Sequence, residues 1–327
     1  MGSFHAETVA RRLVNADLVA IADPQPGAAE KLAAALGAPK ATTDAAAVFD
    51  DPAVEAVIIA SPARFHAGLV EQAAKAGKAV FVEKPMALTI PDAEKAIAAA
   101  ETAGVVLQVG FNRRWDQAFA EAKAAIEAGK VGTLQLLRSL TRDPGPWGGD
   151  PARVPQWTIF YETLIHDFDT LLWLNAGTWP AEVFAVADAL VRPDAKAGGH
   201  LDTAVVTIRF DNGSIAVAEA NFSALYGYDI RGEAFGSAGM VTMGDVRRSS
   251  MTLFDRNGVS NDTWRRDTDH FVAAYTAQLA SFVAAVRSGV MNGPGGRDAR
   301  AALAVALACI ESVKSGRPIR IADIAAL

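Results

Sequence analysis

A lysine placed just after a short apolar run is the residue of this chain best suited to chemistry. The run Ala79–Val82 has the unbroken apolar character of a strand buried in a parallel sheet, and Glu83, Lys84 and Pro85 follow it. Open α/β sheets bind their ligands at the carboxyl ends of their strands, so the Lys84 ammonium would lie at such a site. The alternative is an ordinary strand end with solvated charges.

A second group of residues, Glu162, His166 and Asp169, has the spacing of one helix face. Residues three and four apart are neighbours on a helix, so two carboxylates would flank the imidazole. A carboxylate raises the basicity of a histidine and orients its ring, which would let His166 take a proton from a substrate hydroxyl. The alternative is a solvated helix face with an ion pair. Companion ligands at metal spacing are missing from the sequence, so we predict no metal site.

Three strand-end positions predict contacts to a dinucleotide. Asp23 ends an apolar strand, where a carboxylate would bond a ribose 2′-hydroxyl and repel a 2′-phosphate. This favours NAD over NADP as the cofactor. Ser61 follows the next buried strand, and His66 opens the helix after it. For Asp23 the alternative is a residue that forms a turn, and for His66 it is helix capping and packing.

The glycine-rich phosphate loop expected at the start of a dinucleotide-binding domain is absent. Gly2 would be the last glycine of a G-x-G-x-x-G fingerprint, with residues 1–13 as the first helix. The strand before that fingerprint would then be missing, and an apolar sheet edge would be exposed. Either the true start of the chain lies upstream or the cofactor site is damaged.

The surrounding pattern predicts two domains. Residues 17–110 alternate strand and helix signals, which predicts right-handed βαβ units and a Rossmann-like, doubly wound parallel sheet in an NAD-binding domain over 1–112. Residues 113–327 contain runs of period-2 strands, two of them joined by the turn Asp211-Asn212-Gly213. They predict an α+β domain with a mainly antiparallel sheet. Residues 142–156, rich in Pro and Gly, predict a long loop.

The bulk properties exclude several classes of protein. The 327 residues carry a net charge of −6 and no block of basic residues, which argues against a nucleic-acid partner. Uninterrupted apolar stretches of 18 or more residues do not occur, so we predict no membrane span. The single cysteine, Cys309, rules out an intrachain disulfide, and the N-terminus has no secretory signal. The predicted location is the cytoplasm.

Together these residues resemble the Gfo/Idh/MocA oxidoreductases, and within that family the inositol 2-dehydrogenases. The resemblance runs through nearly the whole chain. It implies a Rossmann domain followed by an α/β domain whose large open sheet is usually buried in a dimer or tetramer interface. The segments that carry it are 59–66, 77–85, 110–114, 163–169 and 236–240.

The resemblance also implies roles for single residues. Lys84 would be catalytic and contact the reacting hydroxyl, and His166 would accept the proton. Glu83, near the nicotinamide ribose, and Lys84 would also contact the cofactor. The acid four residues before this histidine is usually Asp in these dehydrogenases, and here it is Glu162. We expect Glu162 to assist His166.

Further polar residues are expected to contact the substrate. Asn112, Arg113 and Arg114 follow the strand that ends at Val109. The two arginines would bind a polar substrate or the cofactor, or pair with acids at the domain interface. The family often has Asn in the loop after the first strand of the second domain, where this chain has Asp143. We take Asn112, Arg113 and Asp143 as the substrate-binding set.

The leading hypothesis is therefore the NAD-dependent oxidation of a secondary alcohol on a cyclic polyol, with myo-inositol as the first candidate substrate. Within enzymes, the alternative is a dehydrogenase of another sugar or sugar derivative. From a different class, the alternative is a ligand sensor that keeps the fold but not turnover. The expected partners are a small polyol and further copies of this chain, as a homodimer or homotetramer.

Overall fold

The fold was analysed in a computed structural model that describes residues 1–145 and 154–325. The predicted loop over 142–156 therefore lies largely outside the described residues. The helices are α1 (Gly2–Arg12), α2 (Ala28–Leu36), α3 (Ala45–Phe49), α4 (His66–Lys75), α5 (Ile90–Ala103), α6 (Gln117–Glu127), α7 (Ile165–Leu174), α8 (Asp267–His270), α9 (Val272–Ser288), α10 (Gly296–Ser315) and α11 (Ile321–Ala325).

The strands form two small parallel sheets, one large sheet and one two-stranded ribbon. They are β1 (Ala20–Ala22), β2 (Lys40–Thr42), β3 (Ala56–Ile59), β4 (Ala79–Val82), β5 (Leu107–Val109), β6 (Leu134–Arg142), β7 (Pro180–Asp188), β8 (Thr203–Phe210), β9 (Ile215–Asn221), β10 (Asp229–Gly236), β11 (Gly239–Met243), β12 (Arg247–Asp255), β13 (Gly258–Thr263) and β14 (Ile319–Arg320).

The first half of the chain confirms the predicted alternation of strands and helices on parallel strands. β4 lies between β3 and β5, and each of its four residues is buried, which explains its unbroken apolar sequence. The predicted ends of α5 are also observed. The Thr89 hydroxyl accepts the Asp92 N–H at 3.2 Å, and Gly104 takes the left-handed conformation that ends the helix.

A break in the parallel sheet separates β1 and β2 from the other three strands. β1 pairs with β2, β3 pairs with β4, and β4 pairs with β5, but among the described residues β1 and β3 belong to different sheets. Ile21 in β1 and Ile58 in β3 are only partly buried, and Ile58 packs against the apolar cluster that contains Val9 and Phe81.

Two compact units make up the molecule. The first contains Met1–Trp115 and Ala273–Arg300, and the second contains Asp116–Val272 and the chain from Ala301 onward. The predicted division into 1–112 and 113–327 assigns 273–300 to the second domain, whereas the structure assigns them to the first. The reason is packing: Leu279 and Phe282 of α9 join Val9 and Phe81 in one buried apolar cluster.

The second unit is built on a seven-stranded sheet in the order β11-β10-β6-β9-β8-β7-β14. β6 and β9 run parallel and the other neighbours run antiparallel, which confirms a mainly antiparallel sheet. Burial alternates strictly along β8, so one face of the sheet lies on a core and the other is exposed. α7 packs against β6 and β9.

Within residues 1–145 and 154–325, none of the helices combines the length and the apolar character of a membrane span. The same ranges hold no group of three or more His, Cys, Asp or Glu side chains arranged to hold a metal ion.

Candidate active site

The turn after β4 brings a lysine out of a buried segment. From Ala79 to Ala87 each residue is buried except Lys84, which is partly exposed. The main chain of the turn is fixed to both neighbouring strands, because the Glu83 N–H donates to Ile59 O at 2.9 Å and Val82 O accepts the Gly110 N–H at 2.8 Å. An ammonium can remain partly solvated here, at the carboxyl end of a central parallel strand.

Glu83 is held inside the first unit. Its Oε1 lies 2.7 Å from Nε2 of His5, and its Oε2 accepts the Lys84 main-chain N–H at 3.2 Å. Burial acts to raise the pKa of the Glu83 carboxyl, but the hydrogen bond and charge of His5, with the Lys84 charge, bring this pKa below its ordinary value. A Cβ on Gly110 would approach this carboxylate to 3.1 Å, so the glycine permits the close packing.

The structure therefore gives Glu83 a role that differs from the expected one. The resemblance implied a carboxylate near the nicotinamide ribose, and we counted Glu83 among the cofactor contacts. Instead, Glu83 is only 5% exposed and both of its oxygens accept bonds from the protein. Its observed contacts hold the turn that carries Lys84.

His66 begins α4, as predicted, and its ring is fully engaged by the protein backbone. Nδ1 lies 2.8 Å from Pro85 O, and Nε2 lies 2.7 Å from Ser61 O. The ring is 1% exposed. No ring nitrogen is left for a cofactor, so the predicted cofactor contact gives way to the alternative of packing at the helix start.

The carboxyl ends of β1 and β3 carry polar atoms that fit a nucleotide. Asp23 Oδ1 accepts the Gln25 N–H at 2.9 Å, and this carboxylate has no other hydrogen bond within the described ranges. Ser61 Oγ is buried and lacks a hydrogen-bond partner in the described part of the chain. A ribose and phosphates would satisfy both groups.

The start of α1 adds a third feature that fits a dinucleotide. Met1 caps the helix without a side-chain hydrogen bond, so the first N–H groups of the helix keep their capacity for an anion. Gly2 stands in the first turn, and a Cβ there would come within 3.9 Å of the Ala60 side chain, next to Ser61. The residues present therefore fit NAD at this end of the unit.

The two substrate-binding residues predicted in the first unit are both buried. Asn112 and Arg113 are 3% and 2% exposed and lie in a short 3₁₀ turn, Asn112–Trp115. The neighbouring Arg114 pairs with Asp298 at 2.8 Å, within the same unit. Arg114 thus has an acid partner, but within its own unit and not at a domain interface as the alternative had it.

In the second unit, His166 lies in the first turn of α7 and is partly exposed, as is Glu162. Glu162 does not belong to the same α-helix, because Ile159–Leu164 form a π-helical turn. The two residues were predicted to share a face of one α-helix, whereas the structure places Glu162 in this π turn and His166 in α7; that their side chains face each other stays a prediction. Such turns are frequent at functional sites.

Asp167, beside His166, anchors α7 to the large sheet. It is fully buried and accepts hydrogen bonds from the Ser139 hydroxyl at 2.5 Å and the Thr141 hydroxyl at 2.8 Å, both on β6. These bonds fix the helix turn that carries His166. The sequence offered one signal that we did not use: two hydroxyl residues at i and i+2 on the inward face of an otherwise apolar strand.

Asp143 follows β6 directly. Burial raises the pKa of its carboxyl, the Gly145 N–H donated to Oδ1 at 2.8 Å lowers it, and the negative charge of Asp267 raises it further. The net shift is upward. An ionised carboxylate at this position can accept a hydrogen bond from a hydroxyl group.

His5 is the residue of this region that sequence reasoning missed. Its partner Glu83 lies 78 positions away, so no local spacing indicates the contact. The only available signal was a histidine three residues after Gly2 in a predicted helix.

Comparison with known proteins decides the family. The family model for oxidoreductases with an NAD-binding Rossmann fold, GFO_IDH_MocA, matches residues 1–111, and the GFO/IDH/MocA C-terminal domain matches residues 119–242. The chain belongs to the Gfo/Idh/MocA oxidoreductase family. The recognition made from the sequence is thereby confirmed.

Relatives within the Gfo/Idh/MocA family match almost end to end. Myo-inositol 2-dehydrogenase of Thermotoga maritima is 34% identical, over 99% of this chain and 96% of its own length. The scyllo-inositol 2-dehydrogenase (NAD(+)) of Bacillus subtilis is 34% identical over 98% and 93%. The crystal structure of scyllo-inositol dehydrogenase from Lactobacillus casei with NAD(H) and scyllo-inositol superimposes with a TM-score of 0.94, at 26% identity over 98% and 96%.

Proposed function

We propose that this protein is an NAD-dependent inositol dehydrogenase, which oxidises a ring secondary alcohol to a ketone, with myo-inositol as the leading substrate. The observation that carries this proposal is the likeness to inositol 2-dehydrogenases along both units at 34% identity. The partly exposed Lys84 at the end of β4 and the nucleotide-compatible ends of β1 and β3 support it.

Three side chains have proposed roles in the reaction. His166 accepts the proton of the substrate hydroxyl at an imidazole nitrogen, and Glu162 assists by stabilising the imidazolium that forms. The Lys84 ammonium stabilises the negative charge that develops on the substrate oxygen. NAD, when bound, supplies the hydride acceptor.

Cofactor and substrate are recognised by different groups in this proposal. Asp23 binds the ribose hydroxyls and disfavours a 2′-phosphate, while Ser61 and the start of α1 at Gly2 receive the pyrophosphate region. Asn112, Arg113 and Asp143 bind polyol hydroxyls. The Asp143 carboxylate, directly after β6, has oxygens that can accept hydrogen bonds from polyol hydroxyls.

The test is a panel of substrates with the full chain. Reduction of NAD is measured with myo-inositol, scyllo-inositol, glucose and a linear polyol, each also with NADP. Turnover that is fastest with an inositol and NAD supports the proposal. Faster turnover of glucose moves the assignment to another sugar, and binding of a polyol without turnover moves it to a ligand sensor.

We also propose that the exposed face of the large sheet packs against a second copy of the chain. Met240, Phe235, Leu136 and Ile215 are successive cross-strand partners, and each is more than 40% exposed. A continuous apolar row of this length on a sheet face is typical of an oligomer interface.

The proposed compartment is the cytoplasm, and the proposed partners are a small polyol and further copies of this chain. The one cysteine, Cys309, is buried as a thiol whose pKa is raised well above its ordinary value by burial. A fold that uses no disulfide fits a reducing compartment. The net charge of −6 supports the expectation that nucleic acid is not a partner.

A further inference from the structure

Two buried histidines from different helices hold the turn that carries Lys84. His5 of α1 bonds the Glu83 carboxylate before the lysine, and His66 of α4 bonds the Pro85 carbonyl after it. Both rings are 1% exposed. The main chain on either side of Lys84 is therefore fixed by side chains that come from outside the turn.

The environment of His5 allows one main polar contact. The rings of Phe81 and Tyr275 lie edge-on to it, with centroids 5.6 and 6.0 Å away, and Phe4 lies at 6.1 Å. Nδ1 is buried and has no hydrogen-bond partner among the described residues. The aromatic contacts thus aim Nε2 at Glu83.

The Glu83 carboxylate connects His5 to the main chain of Lys84. One carboxylate oxygen is taken by His5 and the other accepts the Lys84 main-chain N–H. Without the His5 donor, a carboxylate in this apolar site would lose its main stabilising contact and either protonate or rotate. In both cases the bond to the Lys84 N–H weakens.

We propose that His5 is a positioning residue for Lys84, acting through Glu83. The proposal rests on the proposed dehydrogenase function, in which Lys84 stabilises charge on the substrate oxygen. α1 also begins at the end of the unit that fits the cofactor. The hydrogen bond between His5 and Glu83 therefore connects the helix that would bind the cofactor to the turn that carries Lys84. His66 holds the other end of the turn and leaves the Glu83 end dependent on His5.

The test compares two variants of the full chain. His5→Phe keeps the aromatic volume and removes the donor, while His5→Gln places an amide N–H near the position of Nε2. We expect kcat to fall about 10–100-fold in His5→Phe, as for a displacement of a catalytic group by about 1 Å, with a smaller change in the KM for NAD. We expect His5→Gln to recover most of this loss.

The pH profile separates positioning from simple loss of stability. In the wild type, the folded-state pKa of Glu83 lies below its ordinary value of 4.5, so the anion persists down to acid pH. The charged groups that act on it are His5 and Lys84. His5→Phe removes the hydrogen bond and the charge of His5, so the effect of burial dominates and the pKa of Glu83 rises. We therefore expect the acid limb of kcat/KM to move to higher pH.

Val9→Ala is the matched control. Val9 lies on the same helix and packs in the apolar cluster with Phe81 and Leu279, so its truncation destabilises the unit without touching Glu83. We expect Val9→Ala to lower the melting temperature while the pH profile stays that of the wild type. The same shift of the acid limb in Val9→Ala would overturn the proposal, as would a wild-type profile in His5→Phe.

Hydrogen–deuterium exchange gives a readout that needs no turnover. The Lys84 amide is expected to exchange about tenfold faster in His5→Phe than in the wild type, His5→Gln or Val9→Ala. If the wild type oxidises no cyclitol but this pattern holds, the proposed function fails and the coupling of His5 to Lys84 stands. Equal exchange in all four proteins would contradict the coupling itself.

Discussion

Lys84 is a partly exposed cation in an otherwise buried turn. A long cation is almost never buried without a partner, and here the chain exposes this one side chain within a buried run while Glu83 stays inside. The Glu83 carboxylate anchors the turn through His5, and Lys84 is the one partly exposed side chain between Ala79 and Ala87.

Asp23 gives a prediction at the scale of one residue. Replacement by Ala removes the carboxylate that would bond the ribose and repel a 2′-phosphate. We expect the ratio of kcat/KM for NAD over NADP to fall about 10–100-fold, the size of one hydrogen bond to a charged group. Initial rates with both cofactors measure it. Asp17→Ala, an exposed carboxylate nearby in the chain, serves as control, and an unchanged ratio in Asp23→Ala would remove Asp23 from the site.

At the scale of the elements, the π turn Ile159–Leu164 before α7 carries Glu162. Sequence spacing placed Glu162 and His166 on one α-helix, whereas Glu162 lies in the π turn and His166 in α7. Residue identities do not distinguish a π turn from an α turn over six positions. The helix itself was predictable because its apolar side is buried against the sheet.

Asp167 gives the prediction for this element. In Asp167→Asn the side chain loses one acceptor, so one of the Ser139 and Thr141 hydroxyls loses its bond. We expect the free energy of unfolding to fall by about 1–3 kcal/mol and kcat to fall with it, because α7 carries His166. Urea denaturation and steady-state rates measure the two effects. Asp194→Asn, in an exposed pair with Arg192, is the control and should change neither; equal midpoints for both variants would exclude an anchoring role for Asp167.

The sequence predicted elements that bury a continuous or alternating apolar face. β3, β4, β8 and β9 fall into this group. It did not predict β2, which has three residues and little burial, nor β12 and β13, whose residues are almost all exposed. Strands of this kind are specified by their pairing partners rather than by hydrophobic periodicity.

The candidate site was predictable where a residue follows a recognisable strand. Lys84, Asp23 and Ser61 are of this kind, because strand ends are visible in the pattern. The contacts made by those strand ends were not predictable. The bond from His5 to Glu83 and the two bonds of His66 arise only after the chain has folded over long separations.

For the whole molecule, the exposed face of the large sheet predicts self-association. Leu136→Arg places a charge at the centre of the row formed by Met240, Phe235, Leu136 and Ile215. Since charges are depleted from interface cores, we expect the variant to sediment as a species of lower mass than the wild type. Analytical ultracentrifugation measures this. Val14→Arg, at a residue 95% exposed in the first unit, is the control; a wild type that sediments as a monomer would contradict the interface.

Turnover of myo-inositol with NAD by the wild type, Lys84→Ala and Lys95→Ala tests the central claim most directly. Lys95 lies exposed on α5 beside Asp92 and controls for the loss of one surface charge. We expect the wild type and Lys95→Ala to reduce NAD at equal rates, and Lys84→Ala to be about 10²–10³-fold slower or worse, with an unchanged melting temperature. Equal rates in all three proteins would show that Lys84 is not the catalytic lysine and would contradict the site described above.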